Sequence, residues 1–339
     1  MTTEADRPAK AHAGPGVARR LLDAVGVQNV SLLIALILLV AFIGSQNSNF
    51  FFPRNIATIG TTIAIVGILS VVQTVVMLLG GLDISVGSQA GLTSVACAMI
   101  FTASGSPWLG IACALLIGAA AGLFNGAVII YGRVNAVIAT LATFAAYRGL
   151  ANVISDGRAQ GYTGVDPIFV FLARGNLLGV PVLIWILLII AAAAQVMLYY
   201  TDIGRNIYAI GGNAIAARLA GIALNRYILG CYVLVGVVAA LAGVLLTART
   251  GSGQPTSGSQ GLELQSITAA ALGGCSLQGG RGTIVGTILA VILLGVLENG
   301  LIILNVNSFY QDIAQGALLV IAVVIQQRRA GGRGVGLPT

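Results

Sequence analysis

Ten apolar runs, separated by short polar connections, fill most of this chain of 339 residues and constrain its fold more than any other feature. Charged residues make up only 8% of the sequence and apolar residues 57%, whereas a soluble domain carries about 25% charged residues. Such a chain cannot cover a water-facing surface with polar side chains. Because a membrane-spanning helix needs about 20 apolar residues, the composition allows about ten spans. The sequence therefore predicts an all-α integral membrane protein, a polytopic bundle of about ten transmembrane helices.

The predicted spans follow a polar segment, residues 1–30, which we interpret as a flexible cytoplasmic tail. They cover Ser31 to Ile43, Ile56 to Leu79, Ile84 to Ala103, Trp108 to Tyr131, Ala136 to Ile154, Pro181 to Tyr200, Tyr227 to Ala248, Leu264 to Leu272, Thr283 to Leu304 and Ile313 to Ile325. The eighth run is the weakest. Residues 31–327 are thus predicted to form one transmembrane domain, followed by a second tail, 328–339. No small-residue cleavage site follows the first run, so we expect an uncleaved first span.

Basic residues are distributed unevenly between the two sides of the predicted bundle. With the amino terminus in the cytoplasm, twelve of the 17 Lys and Arg residues fall inside and Arg148 falls within a span. The four on the outside are Arg54, Arg158, Arg174 and Arg249. The positive-inside rule expects this asymmetry, so both termini are predicted to be cytoplasmic, where the basic tails can touch anionic membrane lipid.

The longest connections indicate where partners bind, because membrane proteins keep other connections short. The internal connection, 201–226, contains a short helix-forming stretch that ends at a glycine. Two external loops, 155–180 and 249–263, are long enough to meet a periplasmic partner.

The sequence lacks most of the reactive side chains that enzyme mechanisms need. The single Lys, Lys10, and the single His, His12, both lie in the amino-terminal tail, and there is no GxxxxGK[ST] motif to hold ATP phosphates. The four Cys show no CxxC spacing, so neither a disulfide framework nor a metal site is predicted, and we expect no cofactor. The Arg residues are scattered between apolar segments, which argues against nucleic acid as a partner.

Three glycine-rich segments go beyond a generic membrane protein: Leu79 to Ser88, Gly204 to Ile222 and Ala271 to Thr283. Together with Asn125-Gly126 and Asn299-Gly300, they resemble the ribose-type sugar permeases of ATP-binding cassette importers. The order and spacing match that family from about Phe51 to Gln326.

The resemblance implies a permease subunit in the bacterial cell (inner) membrane, not an enzyme. It implies four kinds of partner: a second permease copy, identical or related; a cytoplasmic ATPase; an extracytoplasmic sugar-binding protein; and a sugar or polyol substrate. By the same resemblance, Ala214 to Ile222 is similar to the coupling helix that docks on the ATPase. The coupling residues implied are Asn213, Ala217, Arg218 and Gly221.

Helix breaks are predicted at two similar segments. One contains Gly80, Gly81 and Asp83, and the other contains Gly273 and Gly274. The first has two interpretations: a tight turn in which Asp83 caps the next helix, or a broken helix whose backbone lines a pathway.

Polar side chains at membrane depth are candidates for a translocation pathway. They are Asn125, Asn135, Thr140, Thr143, Arg148 and Asn299. Each could instead bond to a neighbouring helix backbone, and Arg148 could reach outward to water or pair with Glu298. Similarly, Arg158, Arg174 and Arg249 either dock a binding protein or lie among lipid headgroups.

A secondary transporter of a small polar solute is the alternative function. Discontinuous helices around a midplane site would suit it. Proton coupling usually needs a buried carboxylate or His relay, and Glu298 is the one deep carboxylate that the sequence indicates.

Overall fold

A computed structural model describes residues 27–329, so most of both predicted tails, residues 1–26 and 330–339, lies outside the described residues. The described part consists of thirteen α-helices and one small hairpin. Eight of these helices are long and apolar enough to cross a membrane, namely α1, α2, α3, α4, α5, α7, α10 and α12 as defined below. The prediction of a polytopic all-α membrane protein is confirmed.

The helices follow one another with short connections. They are α1 (Val27–Gln46), α2 (Pro53–Leu79), α3 (Val86–Ser104), α4 (Pro107–Tyr131), α5 (Ala136–Ser155), α6 (Pro167–Arg174), α7 (Val182–Tyr200), α8 (Asp202–Gly212), α9 (Ala214–Leu219), α10 (Leu224–Thr250), α11 (Leu262–Leu272), α12 (Ile284–Ile303) and α13 (Ser308–Arg329). A 3₁₀ turn, Ser48–Phe51, precedes α2. The strands β1 (Asn176–Leu177) and β2 (Val180–Pro181) form an antiparallel hairpin before α7.

Helix α11 corresponds to the weakest predicted span. Its 11 residues extend over only about 17 Å at 1.5 Å per residue, which is about half of a bilayer core. Its polar neighbours on both sides are non-helical. Helix α11 is therefore too short to cross a bilayer core on its own, and it is not among the eight helices that could do so.

The centre of the bundle is formed by α2, α3 and α10, which are mostly buried inside the protein. By contrast, α1, α4, α5 and α7 expose large apolar side chains, such as Leu116 of α4 at 69% and Val153 of α5 at 74%. Apolar side chains exposed over such an extent are suited to lipid or to another apolar protein surface.

Glycines let α4 and α10 approach backbone to backbone. A Cβ atom on Gly236 would lie 2.0 Å from the carbonyl oxygen of Gly118, and one on Gly122 would lie 2.1 Å from that of Tyr232. Small residues at such contacts are the usual way in which membrane helices pack tightly.

Two interruptions divide the long crossings, and we call them the first break, residues 80–85, and the second break, residues 273–283. Helix α2 ends at the first break, where Gly80 has a φ of 91°, and helix α11 ends at the second, where Gly274 has a φ of 100°. The residue after each of these glycines donates its N–H to the carbonyl five residues earlier: Gly81 donates to Val76, and Cys275 donates to Ala270. Both are Schellman endings that need a left-handed residue.

The α5–α6 and α10–α11 loops meet at the end of the bundle opposite α9. Gln160 and Gly253 form an antiparallel bridge, and the Thr163 N–H donates to the Gly251 carbonyl at 2.8 Å. From there the α10–α11 loop runs inward along α3, so that Ser259 is fully buried.

Candidate coupling and translocation site

The three glycine-rich segments converge beneath α9, at a contact that we call the glycine junction: Gly80, Gly211, Gly279 and Gly280. The Gly280 N–H donates to the Leu78 carbonyl at 2.9 Å. A Cβ atom on Gly211 would lie 1.9 Å from that carbonyl oxygen and 2.5 Å from the Gly280 nitrogen. Only glycine fits here, so the last turn of α8 lies directly on both breaks.

Helix α9 follows this junction and is defined by a cap at each end. The Asn213 side chain accepts from the Ala216 N–H at 3.0 Å, which satisfies a free donor of the first turn. At the other end Gly221 has a φ of 85°, and the Ile222 N–H donates to the Ala217 carbonyl at 3.0 Å. These caps fix the direction of a helix of only six residues.

The two faces of α9 differ in exposure. Ala217 is buried against the bundle, whereas Arg218 is exposed. Two large apolar side chains, Ile215 at 76% and Leu219 at 85% exposure, lie four residues apart on the outer face. A cation beside an exposed apolar pair on a rigid short helix is the composition of a docking surface.

Helix α8 connects α9 to the breaks on its other side as well. Ile207 and Ile210 are buried, and the Tyr208 hydroxyl donates to the Gly282 carbonyl at 2.8 Å. Burial, with a smaller contribution from Cys275, raises the pKa of Tyr208 above its ordinary value, so the hydroxyl remains a neutral donor. Helix α8 therefore contacts the second break through both backbone and side-chain groups.

A buried carboxylate organises the first break. Asp83 is fully buried, and its Oδ1 accepts from the Ser85 N–H at 2.8 Å and from the Ser85 hydroxyl at 2.6 Å. The Asn125 amide donates to Oδ2 at 3.4 Å and to the Ser85 oxygen at 2.9 Å. Among the described residues no Lys or Arg lies within ion-pair distance of Asp83, so neutral donors alone hold it.

This cluster links the first break to the four helices α3, α4, α5 and α10. The Gln89 amide donates to the Ser85 hydroxyl at 2.6 Å, and the Tyr147 hydroxyl donates to the side-chain Oδ1 of Asn125 at 3.2 Å. The Leu82 carbonyl accepts from the Tyr232 hydroxyl at 3.1 Å and from the Thr140 hydroxyl at 3.4 Å. The structure thus brings Asp83, Asn125 and Thr140 together, as three of the predicted site residues.

The buried part of the second break contains neutral side chains. The Cys275 thiol lies 3.7 Å from the Thr74 hydroxyl and 3.6 Å from the Thr287 hydroxyl, which are themselves 2.7 Å apart. Gly273 is buried against α12, and a Cβ atom on it would lie 2.5 Å from the Thr287 nitrogen.

The other candidate pathway residues lie apart from Asp83. Asn135 caps α5 by accepting from the Val137 N–H at 2.9 Å, and Thr143 donates to the Thr140 carbonyl at 3.2 Å. Asn299 exchanges two hydrogen bonds with Asn55, at 2.9 and 3.1 Å, and joins α12 to the start of α2.

The Arg148 guanidinium lies between α5 and the α10–α11 loop. Nη1 donates to the Pro255 carbonyl at 3.0 Å and to the Ser259 hydroxyl at 2.6 Å. The ion pairs of the described part of the chain do not include Arg148 with Glu298. Glu298 instead lines a separate cavity with Thr62 and Gln265.

The three arginines that the sequence predicts to dock a binding protein are exposed. Arg158 follows α5, Arg174 ends α6, and Arg249 lies in the last turn of α10, where it donates to the Thr62 hydroxyl at 3.3 Å. All three lie at the end of the bundle opposite α9, where the two loops meet.

Sequence reasoning missed four residues of these sites: Ile215, Leu219, Ser85 and Glu263. The apolar pair has a visible signal, since Ile215 and Leu219 are spaced by four within the short helix-forming stretch of the connection 201–226. Glu263 was assigned to a surface loop, yet its side chain is only 6% exposed. No pattern in the sequence marks that burial.

Comparison with known proteins agrees with this geometry. The family described as branched-chain amino acid transport system / permease component matches residues 55–323. The chain belongs to this permease family. It is 39% identical to the ribose import permease protein RbsC of Escherichia coli strain K12, over 92% of this chain and 97% of that protein.

Further relatives match over similar lengths. The chain is 39% identical to the ribose import permease protein RbsC of Bacillus subtilis over 90% of its own length and 94% of that protein. It is 36% identical to the L-arabinose ABC transporter permease protein AraH of Azospirillum brasilense, over 91% of this chain and 90% of that protein. No solved structure gives a significant match. The chain is a permease component and not itself an enzyme.

Proposed function

We propose that this chain is the permease subunit of an ATP-binding cassette importer for a monosaccharide or related polyol, and that it spans the bacterial cell (inner) membrane many times. It works with an ATPase and a sugar-binding protein. The observation that carries this proposal is the glycine junction, because it joins an exposed docking helix to both helix breaks. The relatives named for ribose and L-arabinose import support the substrate class.

In this proposal the α9 end of the bundle faces the cytoplasm, as do both termini, and residues 31–327 form one permease domain between the two tails. The connection 201–226 is the coupling loop, with Asn213, Ala217, Arg218 and Gly221 at the ATPase. Ile215 and Leu219 enter an apolar cleft of that partner, and Arg218 pairs with an acidic group.

The opposite end faces the extracytoplasmic space and receives the binding protein. Arg158, Arg174 and Arg249 are exposed there and would dock acidic groups, which gives fast and salt-sensitive encounter. A second permease copy completes the assembly against one of the exposed apolar helices, and lipid covers the rest.

The proposed mechanism is a gate with two states that the partners select. ATP-driven closure of the ATPase displaces α9, and the glycine junction transmits this to the first and second breaks. Because each partner prefers one state, the coupling free energy lies in these differences of affinity and not in tight binding of sugar. Polar groups along α4 and α5, with Asn125, Thr140 and Arg148 among them, would then provide weak hydrogen bonds to hydroxyls.

Reconstituted transport tests this function. Proteoliposomes that contain the permease, its ATPase and its binding protein are assayed for uptake of radiolabelled D-ribose and L-arabinose. We expect uptake of at least one sugar that requires both ATP and the binding protein. Equal uptake by the permease alone, driven by a proton or sodium gradient, would instead establish the secondary transporter.

A further inference from the structure

One face of α3 is bare because Gly87 and Gly91 lie on it, and the Glu263 side chain and the α10–α11 loop occupy that space, with Arg148 beside them. A Cβ atom on Gly87 would lie 2.0 Å from the Glu263 Oε2 atom of α11. A Cβ atom on Gly91 would lie 2.6 Å from the Pro255 carbonyl oxygen, 2.8 Å from the Ser259 hydroxyl and 3.4 Å from the Arg148 Nη1 atom of α5. Residues 87 and 91 are one helical turn, about 6 Å, apart along α3, so the carboxylate and the guanidinium lie beside the same face of that helix.

Each of these two side chains has one buried polar atom without a hydrogen-bond partner among the described residues. Glu263 is 6% exposed; its Oε1 accepts from the Gly261 N–H at 3.2 Å, while Oε2 has no partner. In Arg148, Nη1 makes both hydrogen bonds to the α10–α11 loop and Nη2 makes none. The guanidinium is held in place by these bonds and by the Phe144 ring, 5.6 Å away.

The two groups do not form an ion pair with one another, because their nitrogen and oxygen atoms are more than 4 Å apart. They still interact electrostatically. Leaving a buried carboxylate oxygen and a buried guanidinium nitrogen unsatisfied is costly. A group that fits between them must accept from Nη2 and donate to Oε2.

A hydroxyl group meets both requirements with a single oxygen atom. Its oxygen accepts from Nη2, and its hydrogen is donated to Oε2. A free cation would be repelled by Arg148 and a free anion by Glu263, whereas a carbonyl oxygen could not donate to the carboxylate. The site therefore favours a neutral polyhydroxyl solute.

We propose that Glu263, together with Arg148, recognises a substrate hydroxyl inside the translocation pathway. This inference rests on the proposed function and adds Glu263 as a specificity-determining residue. The α10–α11 loop, which brings Pro255 and Ser259 to Arg148, is then the wall that positions the pair.

The test uses the reconstituted complex of permease, ATPase and binding protein, with D-ribose and L-arabinose as probes. The variants are Glu263→Gln, Arg148→Gln and the double variant, with Glu298→Gln as the matched control in a different cavity. We expect each single variant to transport about tenfold less sugar per ATP hydrolysed, the loss of one hydrogen bond to a charged group. The double variant should lose little more, because both residues hold the same hydroxyl.

A steric variant tests the same site without changing its charges. Gly87→Ala places a methyl group where Glu263 Oε2 lies, so it should displace the carboxylate and reproduce the loss. Melting temperatures in detergent separate a structural role from a transport role: the proposal requires folded variants that hydrolyse ATP but move little sugar.

Three outcomes have distinct meanings. If the wild-type complex shows no ATP-dependent uptake, the proposed function itself fails. If it does, but Glu263→Gln, Arg148→Gln and Gly87→Ala all match wild type in sugar moved per ATP, the hydroxyl site is overturned. If the variants only lower the melting temperature, the two groups share a structural water, and this too overturns the proposal.

Discussion

The two helix breaks share a backbone motif but differ in what they enclose. Both begin with a Schellman ending at a left-handed glycine, Gly80 or Gly274. The first break closes around the buried Asp83 carboxylate and its donors, whereas the second contains the neutral Cys275 thiol and exposes Leu277, Gln278 and Arg281.

This difference indicates a division of labour. The Asp83 side chain is fully buried and accepts several hydrogen bonds, so it fixes the first break in one arrangement, because any other would leave buried polar groups without partners. The second break lies on α8 and has fewer strong bonds, so it can shift when α9 moves. We expect the first break to hold the bundle together and the second to transmit motion.

The largest effect should come from removing the carboxylate of the first break. Asp83→Ala leaves the Ser85 N–H and hydroxyl without their acceptor, so we expect the free energy of unfolding to fall by about 3 kcal/mol. Thermal unfolding in detergent, followed by size-exclusion chromatography, measures it. The control is Asp166→Ala, which removes a half-buried cap of α6 and should cost about 1 kcal/mol. Equal losses for the two variants would contradict the special role of Asp83.

The glycine junction should be the next most sensitive position. Gly211→Ala pushes a methyl group into the Leu78 carbonyl and breaks the hydrogen bond between that carbonyl and the Gly280 N–H. We expect the free energy of unfolding to fall by about 1–3 kcal/mol. We also expect a lower ratio of sugar moved to ATP hydrolysed. Its neighbour provides the control, since a Cβ atom on Gly212 meets nothing within 4 Å. A Gly212→Ala protein that is equally uncoupled would show that the loop as a whole, and not the junction, matters.

The shared motif predicts similar costs at both breaks for alanine at the left-handed position. Gly80→Ala and Gly274→Ala should each lower the free energy of unfolding by about 1–2 kcal/mol, because an L-residue is strained at that φ. Gly274→Ala should lose slightly more, since its methyl group also meets the Gln28 side chain at 2.7 Å. Thermal unfolding of both variants side by side checks this, and no loss at either position would show that the backbone relaxes.

The smallest effect should come from the thiol of the second break. Cys275→Ser keeps a small side chain that can form hydrogen bonds with Thr74 and Thr287. We therefore expect the free energy of unfolding to change by less than about 1 kcal/mol, and transport to remain normal. A loss as large as that of Asp83→Ala would erase the contrast between the two breaks.

Much of this architecture is predictable from sequence because it depends on local signals. Apolar runs locate the spans, and the pairs Gly80-Gly81 and Gly273-Gly274 lie where α2 and α11 end. The apparent repeat Leu-Gly-Gly is offset in the structure: Gly80, the first glycine of one pair, has the same role as Gly274, the second of the other. The repeated letters alone cannot show which of the two glycines adopts the left-handed conformation.

The candidate sites were less accessible to sequence reasoning because they depend on contacts between distant segments. The convergence of residues 80, 211 and 280 is visible only once three connections fold onto one another. In the same way, Glu263 enters the bundle because its loop runs inward along α3, while Asn299 pairs with Asn55 far from the other polar candidates. The polarity of a residue alone does not show which of these positions it occupies in the fold.

Photo-crosslinking from α9 tests the central claim most directly. The photoreactive residue p-benzoylphenylalanine is introduced at Leu219, 85% exposed on α9, or at Leu178, 93% exposed in the hairpin before α7, in the complex within its native membrane. The account predicts that position 219 gives an adduct with a Walker-motif ATPase, identified by mass spectrometry, whose yield changes with ATP, and that position 178 gives none. An ATPase adduct at position 178 and none at position 219 would contradict it.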